Sequence, residues 1–439
     1  MGYGLYKTLP QANALNPALL PDYKFTLSLP GLAGFKANAS QNFTNFSLLT
    51  AKNGDGAMDL EGIFEKLRRN NRTTANLAVP LFNLGIRSQH GYTAFSVTTR
   101  SFSRFSFPRE LANLAYFGNA NDETRALSFD RLALKSNTFS EIGLSHGREI
   151  LKGKMTIGAS IKYLIGHSYL DLADFNLALN TFNDDSIRIS TQGLEGRIAG
   201  PAALALIDDV SDRDLNNSIF TGSGLGVDVG ATYQFSEKIN LFASINDLGF
   251  IRWSGPSRSH AISATAYTFK GADLLDESPE DEFTEEFNRL EKEFEESERI
   301  NEPFSNALTA NIYLGGSYKL SKKQTASAIL YAELYKGTLV PAFSGMYNVQ
   351  FKTFFNFIAG FTAMNGRVNN IGTGFTLNLI PFQINLVTND LLSLVNPMKG
   401  RAADLRVGIN FTFGNVGRIK TKNKRKSKNT IDNIDLGLD

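Results

Sequence analysis

The sequence predicts an all-β protein: a closed antiparallel transmembrane β-barrel of about fourteen strands with long extracellular loops. Three observations predict it. Segments of about ten residues alternate apolar and polar side chains with a period of two along nearly the whole chain. No window approaches 18 consecutive apolar residues, so no helix of the sequence reads as a membrane span. Short turns also alternate with long polar segments, the asymmetry expected between the periplasmic and outer ends of such a barrel.

The clearest segment is Leu225–Phe235. It places Leu225, Val227, Val229, Ala231, Tyr233 and Phe235 on one face, with Gly226, Asp228, Gly230, Thr232 and Gln234 on the other. After the turn Ser236–Lys238 the alternation resumes through Ile239, Leu241, Ala243 and Ile245. The last such segment, Asp404–Phe413, ends on an aromatic residue that suits a lipid–water boundary. Counting back from it, strands fall at 381–390, 367–379 and 353–364, on either side of Tyr335–Gly337, and at 308–320. Others fall near 238–247, 223–235, 153–166, 138–149, 91–104, 74–85 and 33–48. Fourteen is even, so both ends of the barrel chain lie on the periplasmic side.

Inner turns are expected at Ser88–Gly91, Leu151–Lys154, Ser236–Lys238, Ser321–Gln324 and Ile380–Pro381, and an outer hairpin turn at Asn365–Gly366. The outer segments 49–73, 105–130, 167–222 and 248–305 are long. The organisation is therefore an N-terminal segment 1–32, a barrel over 33–413 and a basic periplasmic tail over 414–439.

Composition fits this reading. Thirty-four Phe and 14 Tyr against one Trp supply rings for the two interfaces. The absence of cysteine excludes disulfides, thiolate metal sites and Cys nucleophiles. The first residues lack the basic and apolar segments of a secretory signal, which reads as a mature form with a start Met attached.

The net charge of +2 conceals two opposite blocks. Asp273–Glu302 holds fourteen acidic and three basic residues, a balance of −11. Within it, Phe283, Phe287, Leu290 and Phe294 recur at helical spacing, predicting a helix over 279–300. That helix is either a docking or lid element for an envelope partner or an ordinary surface helix. Arg418–Lys428 carries seven basic residues, including Lys424, Arg425 and Lys426. Behind a final barrel strand, its counter-charges are anionic headgroups, peptidoglycan or a partner subunit rather than nucleic acid. A solvated tail without a partner is the alternative.

Glu141–Ile150, Gly224–Tyr233, Phe242–Trp253 and Ala264–Gly271, together with Asn16-Pro17-Ala18, carry a resemblance. They resemble an uncharacterised family of outer-membrane barrels from Bacteroidota, itself distantly similar to long-chain fatty-acid transporter barrels and to barrel subunits of the type IX secretion apparatus. The resemblance implies that Asn16, Pro17 and Ala18 fold into the lumen as a hatch. The apolar, non-alternating run Leu15, Leu19, Leu20 and Pro21 is compatible with that, and equally with a strap under the periplasmic mouth.

Gly143-Leu-Ser-His-Gly147 matches the nucleophile-elbow pattern, but lies inside a strand with no helix behind it. The histidines at 90, 146, 167 and 260 show no metal-binding spacing. No enzyme activity and no cofactor are expected. The alternation turns Lys162, Asp228, Glu333 and Arg406 into the lumen, either to meet a solute or to fill the lumen with ion pairs. Two functions follow: passive transport or binding of a small hydrophobic solute, or a non-transporting docking subunit of a secretion or barrel-assembly complex.

Overall fold

A computed structural model describes residues 9–415, apart from 32–33, 45–59, 90, 120–125, 174–175, 184–185, 206–219, 270–283, 285–287, 295, 336–337, 353, 365–366, 397–399 and 401. In chain order the strands are β1 (Tyr23–Ser28), β2 (Phe35–Gln41), β3 (Asn70–Arg87), β4 (Gly91–Pro108), β5 (Ala126–Ser128), β6 (Ala133–Ile150) and β7 (Met155–Ala173). Then come β8 (Leu177–Thr181), β9 (Ile187–Thr191), β10 (Leu194–Ala199), β11 (Gly222–Gln234), β12 (Ile239–Trp253), β13 (Ser257–Ile262), β14 (Thr265–Phe269), β15 (Glu296–Ile300) and β16 (Phe304–Ala307). The C-terminal part adds β17 (Ala310–Lys319), β18 (Gln324–Tyr335), β19 (Thr338–Phe351), β20 (Phe355–Met364), β21 (Arg367–Leu379), β22 (Phe382–Thr388) and β23 (Ala402–Asn415).

All barrel pairings are antiparallel between sequence neighbours, and the wall closes where β23 meets the first strand. That first strand is in two pieces. β1 and β2 both pair with β23 on one side and with β3 on the other. Counting β1 and β2 as one, the barrel has fourteen strands. The expected first strand at 33–48 thus begins ten residues earlier, at Tyr23, and is interrupted between Ser28 and Phe35. The break falls at Gly31 and Gly34, whose φ angles of +76° and +86° a strand cannot continue through.

The two faces of the wall behave as the alternation requires. Leu225, Val227, Val229 and Tyr233 stand exposed on the outside, whereas Asp228 between them is 1% exposed. Leu314, Phe343, Phe357, Phe361 and Ile371 continue the apolar exterior around the barrel. No helix among the described residues is long and apolar enough to cross a membrane; the strands do so. A continuous apolar exterior on a closed sheet is the design of an outer-membrane barrel, which is where this chain belongs.

Polar residues on the outer face satisfy one another. Thr99 pairs with Ser140 at 2.8 Å, Ser101 with Thr138 at 3.0 Å and Ser103 with Ser136 at 2.9 Å. Each hydroxyl thereby keeps a hydrogen bond without water.

Several strands run well past the ten-residue segments expected. β7 reaches 19 residues and pairs at its outer end with β10, which pairs with β13, and β13 with β15. A separate sheet of β5, β8, β9 and β14 sits among these outer segments. Short helices α1 (Leu60–Lys66), α2 (Arg109–Phe117), α3 (Pro201–Leu204) and α4 (Leu391–Val395) complete the described part.

The helix expected over 279–300 stops early at its C-terminal end. Among the described residues, 284 and 288–293 are helical, and Glu296–Ile300 forms β15 against β13 instead. The Ile300 end of the acidic stretch is captured by strand pairing, which local helical spacing cannot foresee. Phe283, Phe287, the turns at 337 and 365–366, and Lys424, Arg425 and Lys426 of the basic tail lie outside the described residues.

Candidate functional site

The N-terminal segment enters the barrel before any strand begins. Pro10–Ala14 forms one turn of 3-10 helix, with proline at its start where no N–H is needed. Beyond it, Asn16 folds the chain on itself, its Oδ1 accepting from the Ala18 backbone N–H at 2.8 Å. Asn13 Nδ2 donates to the Pro17 carbonyl at 3.1 Å. These residues are buried inside the wall: Asn16 is 0% and Ala18 2% exposed.

Glycines in the wall receive this turn. A Cβ on Gly147 or Gly158 would collide with the Pro17 backbone, and one on Gly230 with the Asn16 side chain. Gly226, four residues away on the same face, has ordinary space around it. The wall is thinned where the turn lies against it.

Side chains of the wall then grip the segment from several sides. Ser244 Oγ and Asn246 Nδ2 both donate to the Leu15 carbonyl, at 2.9 and 2.8 Å. Asn16 Nδ2 donates to the Ala243 carbonyl at 3.1 Å. Ser145 donates to Asn13 Oδ1, and Arg87 donates to the Pro21 carbonyl at 2.8 Å. On the opposite wall, Gln11 meets Asn410 within a buried amide network of Tyr23, Asn378 and Gln383. Ser145, the serine of the elbow-like pattern, is thus a hydrogen-bond donor to the segment on an unbroken strand.

The apolar side of the segment has its own seat. Leu9, Ala12 and Leu19 pack with Phe242, Ile329, Met346, Ile358 and Val387, and Leu15 and Tyr313 lean on the same cluster. The segment is therefore both hydrogen-bonded and hydrophobically seated in the lumen.

A ring of charges lies on the inner wall. Lys162 Nζ sits 2.8 Å from Asp228 and 2.9 Å from Asp247. Arg100 engages both Asp247 oxygens, at 2.8 and 3.1 Å, and Glu141 at 3.2 Å. Asn311 adds a donor to Asp247 at 3.0 Å and is itself tied to Tyr331. Arg104 meets Glu333 at 2.6 Å. Three acids around Lys162, two of them shared with Arg100, leave no charge of this group unpaired.

Of the lumen residues read from the sequence, Lys162 and Asp228 share one cluster and Glu333 has its own pair. Arg406 stands apart, opposite Lys36 in the register. Arg100, Arg104 and Glu141 escaped the sequence reading although their alternation turns them inward. Asp247 could not be read at all. A β-bulge on β12 sets Asn246 and Asp247 against the single residue between Val227 and Val229 of β11, and Asp247 adopts a φ of +63°. The inward phase of β12 therefore switches from even to odd numbers at that point.

Outside the barrel, Leu290 and Phe294 line a cavity of about 380 Å³ with Leu177, Ile189 and Glu291. The two described residues of the expected Phe/Leu stripe thus face residues of the outer sheet across this cavity.

A model of the "Family of unknown function (DUF5723)" matches residues 17–389. No curated protein matches the sequence. Among solved structures, a TodX ΔS2S3 mutant monoaromatic hydrocarbon channel is similar at 9% identity, over 92% of this chain and 94% of that one, with a TM-score of 0.45. A Pseudomonas aeruginosa FadL homologue is similar at 11% identity over 94% and 96%, TM-score 0.42. The Ralstonia pickettii toluene transporter TbuX is similar at 10% identity over 92% and 94%, TM-score 0.41. The likeness is one of architecture.

Proposed function

The chain belongs to the DUF5723 family of unknown function, and we propose that it passes or binds a small hydrophobic solute through a hatched lumen. The observation that carries this reading is the seating of residues 9–21. The segment lies inside the barrel but outside every strand ladder, held by side-chain hydrogen bonds and one apolar cluster. Each such bond contributes about 1 kcal/mol net, so the set can be undone singly without unfolding the wall. The apolar cluster also offers a solute the surface that the segment occupies. Passive passage needs no covalent chemistry, only an apolar site and a movable obstruction.

The interrupted first strand supports the same reading. The described residues between Ser28 and Phe35 make no ladder pairing with β23 or β3, so strand pairing lapses beside the hydrogen bond from Ser28 to Asn410.

The test uses the cysteine-free chain. Asn13→Cys and Ser145→Cys, introduced together, place two thiols where a hydrogen bond now ties hatch to wall. Cells of a Gram-negative host expressing the protein should take up labelled naphthalene faster than vector controls. Oxidation should bring the double variant to the control rate, and reductant should restore it. Uptake equal to the control in the reduced protein, or unchanged on oxidation, would refute the proposal.

A docking role in an envelope complex is supported by the charge ring, which lets the lumen be filled structurally, and by the outer sheet of β5, β8, β9 and β14. In that case the acidic stretch 273–302 and the basic run 418–428 are the surfaces for partner proteins. Stoichiometric partners on purification in mild detergent would favour it over transport.

A further inference from the structure

One row of the inner wall runs through the register Val387, Arg406, Lys36, Ala78, Arg100 and Phe139. Three of these six are cations. Arg100 takes Asp247 and Glu141. Lys162 and Arg104 take the remaining acids of the ring, Asp228 and Glu333. Asp404, the next acid along β23, accepts both the backbone N–H and the side-chain amide of Asn389 on one oxygen. Among the described residues, neither Lys36 nor Arg406 has a carboxylate within ion-pair distance.

Two like charges facing each other across adjacent strands repel and destabilise the pairing. Here the pair is reachable from the lumen, Lys36 being exposed and Arg406 half-buried. On one side it adjoins Val387, a member of the apolar cluster that seats the hatch. On the other, Lys36 is the second residue after the break in the first strand. The arrangement joins two cations without an ion pair to an apolar surface, beside the interruption of the first strand.

We propose that Lys36 and Arg406 form an oxyanion site in the lumen, and that its ligand is the carboxylate of a small apolar acid. The guanidinium offers paired donors to a carboxylate and the ammonium a further charge. The apolar remainder of the ligand lies towards Val387. This inference rests on the transport reading and deepens it by naming the charge of the solute.

Calorimetric titration of the full chain in zwitterionic nanodiscs tests it with benzoate, benzyl alcohol, benzylamine and inorganic phosphate. Benzoate should bind at least about tenfold more tightly than benzyl alcohol, as expected for charge-assisted hydrogen bonds. Benzylamine should show no binding, and phosphate should displace benzoate only weakly. Lys36→Gln and Arg406→Gln should each reduce the preference for benzoate, and Lys36→Arg should keep it.

Equal binding of benzoate and benzyl alcohol by the unmodified protein overturns the site, without dependence on any variant folding. Phosphate binding as tightly as benzoate overturns the apolar-acid ligand. The two readings fail separately. Hatch-dependent naphthalene uptake without benzoate preference sinks the oxyanion site alone, whereas benzoate preference without any uptake sinks transport alone.

Discussion

Asn246 donates from Nδ2 to the carbonyl oxygen of Leu15 at 2.8 Å, while its neighbour Asp247 holds Arg100 and Lys162. Adjacent residues of one β-bulge thus clasp the lumenal N-terminal segment and the charge ring. A movement of either reaches the other through a single peptide unit.

Replacing Asn246 with Ala removes one of two donors to the Leu15 carbonyl and leaves Ser244 in place. The hatch should loosen by about 1–2 kcal/mol. In a Ser145→Cys background, the rate of labelling by a water-soluble thiol reagent should rise by roughly tenfold. An unchanged rate would show that Asn246 does not hold the segment.

Gly230→Ala and Gly226→Ala make a matched pair. The first inserts a methyl into the Asn16 side chain, whereas the second meets only ordinary contacts. Gly230→Ala should cost about 1–3 kcal/mol through overpacking and expose the hatch to the same thiol assay. Gly226→Ala should leave both stability and labelling unchanged.

Lys162→Met strands Asp228, a buried acid 2.8 Å from the ammonium, and takes from Asp247 one of its two cations. The expected loss of stability is about 3–5 kcal/mol, read as a shift of the urea midpoint in lipid vesicles. Arg197→Ala breaks a solvent-exposed pair with Glu195 and should cost no more than about 1 kcal/mol. Equal effects would contradict the burial of the ring.

Val227→Arg puts a cation on the lipid face beside the tolerated inward charge of Asp228. The penalty at the middle of a bilayer is about 2–4 kcal/mol. Refolding into vesicles should fail or shift by that amount, while Gly226→Arg on the lumen side should not incur the lipid term. The same cost for both would argue against lipid outside this strand.

The alternation in Leu225–Phe235 was sufficient to name the fold, because side-chain direction in a strand is a local property of the backbone. It also turned Lys162, Asp228, Glu333 and Arg406 inward without any knowledge of neighbours. The position of Asn16, Pro17 and Ala18 came from resemblance, since nothing in their own pattern distinguishes a hatch from a strap.

Three features were decided only by tertiary structure. The break at Ser28–Phe35 depends on how the closing strand meets the first. The inward turn of Asp247 depends on a bulge that resets the phase of β12, so a strict period of two would have sent it into lipid. The absence of an ion pair at Lys36 and Arg406 depends on which acids reach which cations around the wall, as Arg104 of β4 reaches Glu333 of β18. Side-chain facing is set by each residue's own φ and ψ, and so is written in the sequence. Partnership across a closed wall depends on register and curvature, which exist only once the barrel has shut.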